Sequence, residues 1–148
     1  MLKETLKTLF RRDLEKLRAE IDSYQDESKL WYVEKNIPNS AGNLCLHLVG
    51  NLNAFIGAEI GKSGYVRQRE LEFSSKDIPK SELLKKIDDT IAVVDAAIDT
   101  LTDEKLNEEY PIVVFKEKMV TGTFLIHLTT HLTYHLGQIN YHRRLLDA

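Results

Sequence analysis

The chain has little of what marks a disulfide-stabilised, membrane-spanning or nucleic-acid-binding protein. Its single cysteine, Cys45, excludes an intrachain disulfide and favours a reducing compartment, so we expect a cytoplasmic protein. No apolar run reaches the ~18 residues that cross a bilayer, and the N-terminal segment does not resemble a secretory signal. The net charge of −3 offers no general attraction to nucleic acid or to an anionic membrane. We therefore expect neither partner.

Internal repeats and low-complexity segments are absent as well. The 148 residues suit one domain with a full hydrophobic core. The composition, 43% hydrophobic and 29% charged, is ordinary for a globular protein. We therefore assign residues 1–148 to a single domain.

Apolar residues recur at the spacing of an amphipathic helix in four long segments of the chain. The periodicity predicts helices over residues 2–24, 41–60, 80–101 and 121–146. The second is apolar nearly all round, so we expect it to lie at the centre. Residues 65–80 read as a charged loop, and the apolar stretch Pro111–Phe115 as a short extended segment before the last helix. Together these elements predict an all-α four-helix bundle.

Four of the five histidines lie in the last helix, within an arc of roughly 80° beside its apolar face: His127, His131, His135 and His142. The pairs His127/His131 and His131/His135 are each four residues apart, a spacing that lets two imidazoles hold one ion. His142 lies about 10 Å beyond His135 along the axis, too far to share that ion. The fifth, His47, sits in the middle of the second helix and is the one histidine that could add a ligand from another helix.

The same histidines also admit a purely structural interpretation. Histidines at the edge of a core can be packing residues whose ring nitrogens bond to neighbours such as Gln138, Tyr134 or Asn51. Three neutral imidazoles with open positions would instead suit Zn²⁺, Ni²⁺, Fe²⁺ or Co²⁺ and leave room for water or substrate. The spacing by itself leaves both interpretations open, and it leaves both pairs of the last helix open as ligands.

Two segments of the chain resemble the DinB/YfiT-like superfamily of small metal-binding helical bundles. Residues 39–52, NSAGNLCLHLVGNL, are similar to the motif N-S-x-G-x-L-x-x-H-L of that superfamily. Residues 131–139, HLTYHLGQI, are similar to its H-x-x-x-H-x-G-Q-[IL] helix. Residues 67–73, RQRELEF, resemble an arginine-rich loop before its third helix. Leu136 departs from the pattern, since some members carry arginine or another polar residue there.

The resemblance implies a bundle that binds one divalent metal ion through three histidines, His47, His131 and His135. His127 would then lie outside the coordination shell, Gly137 would let a neighbouring helix approach, and Gln138 would form hydrogen bonds near the site. Zn²⁺ or Ni²⁺ comes first among the metals, and Fe²⁺, Co²⁺ and Mn²⁺ are further choices. Members of the superfamily include S-transferases that use bacillithiol or mycothiol and a thiol-dependent maleylpyruvate isomerase. Homodimers are common among them, so we expect a homodimer.

Three functions follow as hypotheses. The first is a metal-dependent thiol S-transferase that acts on a small electrophilic molecule, with Gln138, Arg67 and Arg69 as candidate catalytic residues. Trp31 and Asn51 are its candidate cofactor-binding residues, although the first interpretation of Trp31 is a lid over one end of the core, with the wall of a ligand pocket as the alternative. The second is a metal-dependent hydrolase with a carboxylate such as Glu59 as base. The third is a non-enzymatic, metal-binding stress-response bundle in which the ion ties two helices together.

Overall fold

The computed structural model describes residues 1–147, and its regular secondary structure is helical throughout. Within this range six α-helices follow one another: α1 (Leu2–Asp22), α2 (Ala41–Leu52), α3 (Arg69–Ser74), α4 (Lys80–Asp99), α5 (Asp103–Asn107) and α6 (Thr121–Leu146). The long helices α1, α2, α4 and α6 form a ring in which α1 and α2 each pack against both α4 and α6. The predicted all-α four-helix bundle is confirmed. None of the helices in the described part of the chain is long and apolar enough to cross a membrane.

The helices bury the faces that their apolar spacing predicts. In α1 the inward residues recur every three or four positions and are buried: Leu6, Phe10, Leu14, Leu17 and Ile21. All 12 residues of α2 are buried, which agrees with its nearly uniform apolar sequence. α2 therefore carries its polar side chains, His47 and Asn51 among them, into the interior of the bundle.

The second predicted helix changes its geometry part-way. The α-helical hydrogen bonding ends at Leu52, and the backbone continues as a π-helix over Asn53–Ala58. The side-chain amide of Asn53 donates a hydrogen bond to the carbonyl of Val49 at 2.8 Å, so a side chain enters the backbone ladder where the helix widens. The segment predicted as one α-helix over residues 41–60 is therefore two helices of different kinds.

The connection between α2 and α4 differs from the predicted charged loop, because α3 lies within it. Glu72 of α3 turns inward and is only 5% exposed. Asn43 of α2 holds α3 in place, since its side-chain amide donates to the carbonyls of Glu72 at 3.0 Å and Ser75 at 2.8 Å. Six residues are too few for hydrophobic periodicity to indicate a helix, so the sequence pattern gave no sign of α3.

The extended segment predicted before the last helix is an irregular connection. A single antiparallel bridge between Glu109 and Val120 closes it, and residues 111–119 lie outside any strand. The backbone N–H of Tyr110 donates to the carbonyl of Met119 at 2.8 Å, next to this bridge. The observed bounds of α1, α4 and α6 agree with the predicted ones to within two residues.

Candidate metal centre

α2 and α6 bring three of the histidines together. The two helices run antiparallel: Phe55, just beyond α2, meets Phe124 near the start of α6, with ring centroids 5.3 Å apart. Earlier in α2, the ring of His47 lies 5.0 Å from that of His131 and 5.2 Å from that of His135. One ring nitrogen from each of these three histidines lies within 4.8 Å of the others. The resemblance to metal-binding bundles named the same three residues.

The spacing of the nitrogens is close to that of ligands on one ion. The Nε2 atoms of His47 and His131 are 3.1 Å apart. Two nitrogens that each lie about 2.0–2.1 Å from a zinc ion at a tetrahedral angle would be roughly 3.3–3.4 Å apart. The ring centroid of His135 lies 4.6 Å from that of His131, and one nitrogen of this half-buried side chain lies within 4.8 Å of a nitrogen of each of the other two histidines.

The three histidines differ in burial. His47 is 7% exposed, whereas His131 and His135 are half-buried. The donor from α2 therefore comes from inside the bundle, and the two donors from α6 lie towards its surface. The site is open on the side of α6, which would give water or a small molecule access to it.

Glu72 of α3 orients His47. Its Oε1 atom accepts a hydrogen bond from Nδ1 of His47 at 3.0 Å, and Arg67 donates to both carboxylate oxygens at 2.9 and 3.0 Å. Burial acts to raise the pKa of Glu72, but the hydrogen bonds from His47 and Arg67 outweigh it and hold the pKa below its ordinary value. The carboxylate is therefore ionised. It keeps the His47 proton on Nδ1, and Nε2 is left with a free lone pair.

Gly50 makes room for this carboxylate on α2. A Cβ atom at position 50 would overlap with Oε2 of Glu72, so the carboxylate packs directly on the backbone of the helix. Any other residue at this position would push Glu72 away from His47.

Gln138 plays the corresponding part for His135. The Oε1 atom of Gln138 accepts a hydrogen bond from Nδ1 of His135 at 2.6 Å, one helical turn further along α6. This bond also places the proton on Nδ1 and leaves the Nε2 lone pair of His135 free.

His131 lacks such a partner. Its Nδ1 atom is buried and has no hydrogen-bond partner within residues 1–147, and the same holds for Oδ1 of Asn51. If the proton of His131 sits on Nε2, it can bond to His47 and leaves an unpaired Nδ1 lone pair. If it sits on Nδ1, the Nε2 lone pairs of His131 and His47 face each other. In either tautomer one nitrogen of His131 is unsatisfied, which costs free energy in a buried position.

The pKa shifts of His131 and His135 keep these two imidazoles neutral. Burial, reinforced by neighbouring His135 and His47, lowers the pKa of His131 to about 4. Burial also lowers the pKa of His135, although the hydrogen bond to Gln138 acts in the opposite direction. Neutral imidazole is the form that binds a metal ion, so both donors of α6 are in the required state at neutral pH.

The donor set fits a divalent metal ion on these observations. Three ring nitrogens converge, Glu72 and Gln138 orient two of the rings, and the buried Nδ1 of His131 has no partner in residues 1–147. A cation between the three nitrogens would satisfy ring nitrogens that otherwise face one another. Three imidazoles with an open side match catalytic zinc sites more closely than closed structural ones.

A family model matches the chain over residues 2–148, and its description is protein of unknown function, DUF1572. The chain belongs to the DUF1572 family. No curated protein matches it, and no solved structure does. The function of this DUF1572 protein therefore has to be inferred from the geometry of its own site.

The other predicted site residues of the DUF1572 chain lie at varying distances from the three nitrogens. Asn51 is 6% exposed and follows His47 by one helical turn. Arg69 is exposed and lies over the ring of Phe73, 5.3 Å from its centroid. Trp31 packs against the start of α2, where a Cβ atom on Gly42 would be 2.7 Å from its ring. Arg67 reaches the site but is engaged by Glu72.

Three further residues lie outside the donor set. His127 packs against Phe115, with ring centroids 4.9 Å apart. Cys45 is buried in the core, and burial raises the pKa of its thiol to about 12, so it is no thiolate. Gly137 was expected to admit a neighbouring helix, but a Cβ atom there would meet nothing within 4 Å in the described residues. That expectation is wrong, because the glycine faces open space.

Glu72 is the residue that the sequence pattern missed. It lies in a stretch of charged residues, and nothing in its spacing distinguishes it from Glu70. The one available signal was position, since the residue falls within the segment 67–73 that resembles the arginine-rich loop. Only the packing of α3 against α2 selects this carboxylate for the interior.

Proposed function

We propose that this DUF1572 protein binds one divalent metal ion, Zn²⁺ or Ni²⁺ first, through His47, His131 and His135 and acts as a thiol S-transferase on a small electrophile. The observation that carries the proposal is the convergence of three ring nitrogens within 4.8 Å of one another. When bound, such an ion would hold a low-molecular-weight thiol, bacillithiol for example, as its thiolate. The resemblance to the DinB/YfiT-like superfamily supports both the ligand set and the reaction class.

The protein's part in this reaction is to hold the donors and to admit substrate. Glu72 and Arg67 fix His47 from inside the bundle. Gln138 fixes His135 at the open side. In the reaction the thiolate sulfur forms a bond to an electrophilic carbon, the leaving group departs with its bonding electron pair, and the thiol proton passes to solvent.

The hydrolase hypothesis has less support because a hydrolase needs a free base beside the donors. Glu59 follows His47 by twelve positions, 47 to 59, which is roughly 15–18 Å along a helix. Glu72 is nearer, but His47 and Arg67 occupy its oxygens. A thiolate needs no further base once it has formed, so the transferase reaction requires no general base among the neighbouring residues.

The test combines metal analysis with a turnover assay. We expect protein purified without a histidine tag to contain about one equivalent of metal by mass spectrometry, and His135→Ala to contain almost none. With bacillithiol and a chromogenic electrophile, the wild type should turn over, and chelator or His135→Ala should abolish turnover. Ile126→Ala, which changes an exposed residue of the same helix away from the three histidines, serves as the matched control.

Two results would contradict the proposal separately. Turnover that persists in metal-free His135→Ala would exclude the metal-dependent reaction. Wild-type protein that takes up neither Zn²⁺ nor Ni²⁺, in the absence of chelator, would exclude the metal site itself and leave the histidines as packing residues.

A further inference from the structure

A pocket of about 510 Å³ lies beside His135. Its walls come from the loop before α2, from the start of α2 and from the second half of α6. His135 is thus shared between the metal centre and the pocket. A molecule bound in the pocket would therefore contact His135, which is also a candidate metal ligand.

The pocket is apolar and carries no formal charge. Its apolar walls are Ile37, Leu44, Tyr134, Tyr141 and Leu145, and its lining contains no aspartate, glutamate, lysine or arginine. Three of these side chains are unusually exposed for their type: Tyr134 at 65%, Tyr141 at 65% and Leu145 at 70%. Apolar surface exposed around a concave site is typical of a ligand pocket.

We propose that the pocket receives the neutral, apolar or aromatic part of a small ligand whose donor atom reaches the metal centre. The proposal rests on the metal site of the proposed function and adds to it the class of substrate. Each methylene that leaves water for such a pocket contributes about 0.8 kcal/mol, which is roughly a fourfold gain in affinity. The polar groups in the wall, Gln138 and His135 among them, can accept or donate single hydrogen bonds but cannot neutralise a charge.

The charges around the site favour a neutral ligand over an anionic one. Arg67 is already paired with both oxygens of Glu72, so its charge is balanced by that carboxylate. At the rim, the guanidinium of Arg144 stacks on Tyr141, 5.3 Å from the ring centroid, and also donates to Asn140. An anionic group in the part of the pocket away from the proposed ion would therefore lose its hydration without gaining a cation.

A second large depression lies on the outer face of α1 and illustrates the contrast. It has a volume of about 540 Å³, but its lining includes Arg11, Arg12, Glu15 and Lys16 from one helix. It is a charged groove on a solvated face and contains none of the converging histidines. The two depressions have similar volumes. They differ in the charge of their linings and in whether a candidate metal ligand lies in the wall.

The test uses Co²⁺ as the metal, because its visible absorption reports ligand binding independently of any activity. The probes are alkyl hydroxamates, whose head group chelates the ion and whose flexible chain can reach the pocket. We expect hexanohydroxamate to bind at least tenfold more tightly than acetohydroxamate. A chain of similar length that ends in a carboxylate should lose most of this gain.

Two variants place the effect in the pocket. Leu145→Glu puts a charge at an exposed position of the wall and should remove the preference for the long chain over acetohydroxamate. Ile126→Glu makes the same change at another exposed position of α6, outside the pocket lining, and should preserve the preference. Because both positions are at the surface, neither change should prevent folding.

The outcomes separate this proposal from the proposed function. Equal affinity for the short and long hydroxamates, in protein with a normal Co²⁺ spectrum, would overturn the pocket assignment and leave the metal site standing. Absence of a Co²⁺ spectrum from histidine coordination would overturn both. A dimer in sedimentation that Leu145→Glu dissociates, without any chain-length preference, would mean that a second copy covers this face, which also overturns the proposal.

Discussion

α6 holds two kinds of histidine, and the protein treats them differently. His142 is 4% exposed and both of its ring nitrogens are paired, with the Tyr24 hydroxyl at 2.6 Å and the Tyr32 carbonyl at 2.9 Å. Burial raises the pKa of Tyr24, so this hydroxyl keeps its proton and donates it to Nδ1. His142 therefore donates from Nε2, and every polar atom of the group is satisfied.

The three histidines of the candidate metal centre do not have both ring nitrogens paired in this way. Nε2 of His47 faces Nε2 of His131, and Nδ1 of His131 has no partner in residues 1–147. The comparison teaches how to distinguish the two roles: a structural histidine has both nitrogens paired by residues outside any cluster, whereas a candidate ligand histidine presents one nitrogen to the other members of the cluster. By this criterion His142 ties α6 to the chain around Tyr24 and Tyr32, and the other three are candidate ligands.

The largest expected effect comes from removing one histidine of each kind. His131→Ala should abolish metal binding but cost little stability in chelator, because the side chain is not satisfied in the metal-free protein. His142→Ala should keep about one equivalent of metal and lose about 2–4 kcal/mol of stability, since it leaves the buried hydroxyl of Tyr24 and the partly buried carbonyl of Tyr32 unpaired. Metal analysis and urea unfolding in chelator measure the two effects. Metal loss in His142→Ala, with His131→Ala retaining metal, would reverse the assignment.

A smaller effect is expected from the residues that orient the donors. Glu72→Ala should weaken metal affinity by about 10- to 100-fold, because His47 loses the acceptor that fixes its tautomer. Gln138→Ala should weaken it less, since water can replace a more exposed acceptor. Competition with a chromogenic chelator gives both affinities. Equal affinity in the wild type and Glu72→Ala would show that the carboxylate serves only the packing of α3.

The smallest effect is expected from two glycines in the same pair of helices. Gly137→Ala adds a methyl in open space in the middle of α6 and should stabilise the protein by about 0.5–1 kcal/mol. Gly50→Ala adds it against the carboxylate of Glu72, so it should gain nothing in stability and should weaken metal binding. Thermal unfolding with and without metal distinguishes the two. A stabilising Gly50→Ala with unchanged affinity would mean that Glu72 can move without loss.

Much of the fold follows from the spacing of apolar residues. Periods near 3.6 indicated α1, α4 and α6 to within two residues, and the uniformly apolar sequence of α2 indicated its central place. Features that do not change this period could not be predicted from the sequence pattern. The π-helical turn after Leu52 begins where the side chain of Asn53 bonds to the carbonyl of Val49, and α3 is too short to show a period.

The sequence by itself determined the helical bundle and named candidate donors, whose role in metal binding is a proposal. Apolar residues at helical spacing decide which face of each helix is buried, and the H-x-x-x-H pattern places two imidazoles side by side on α6. The resemblance to a metal-binding superfamily added His47. The buried face of a helix and the spacing of its histidines are properties of that helix alone, so they can be predicted from its own residues.

The tertiary structure alone decided how those donors are held and what lies beside them. Three features join residues from separate elements. They are the hydrogen bond between Glu72 and His47, the neutral pocket next to His135, and the hydrogen bonds of His142 to Tyr24 and Tyr32. Such contacts depend on the packing of one element against another. Packing places one carboxylate in the interior and leaves its neighbours in water, although the sequence around them is equally charged.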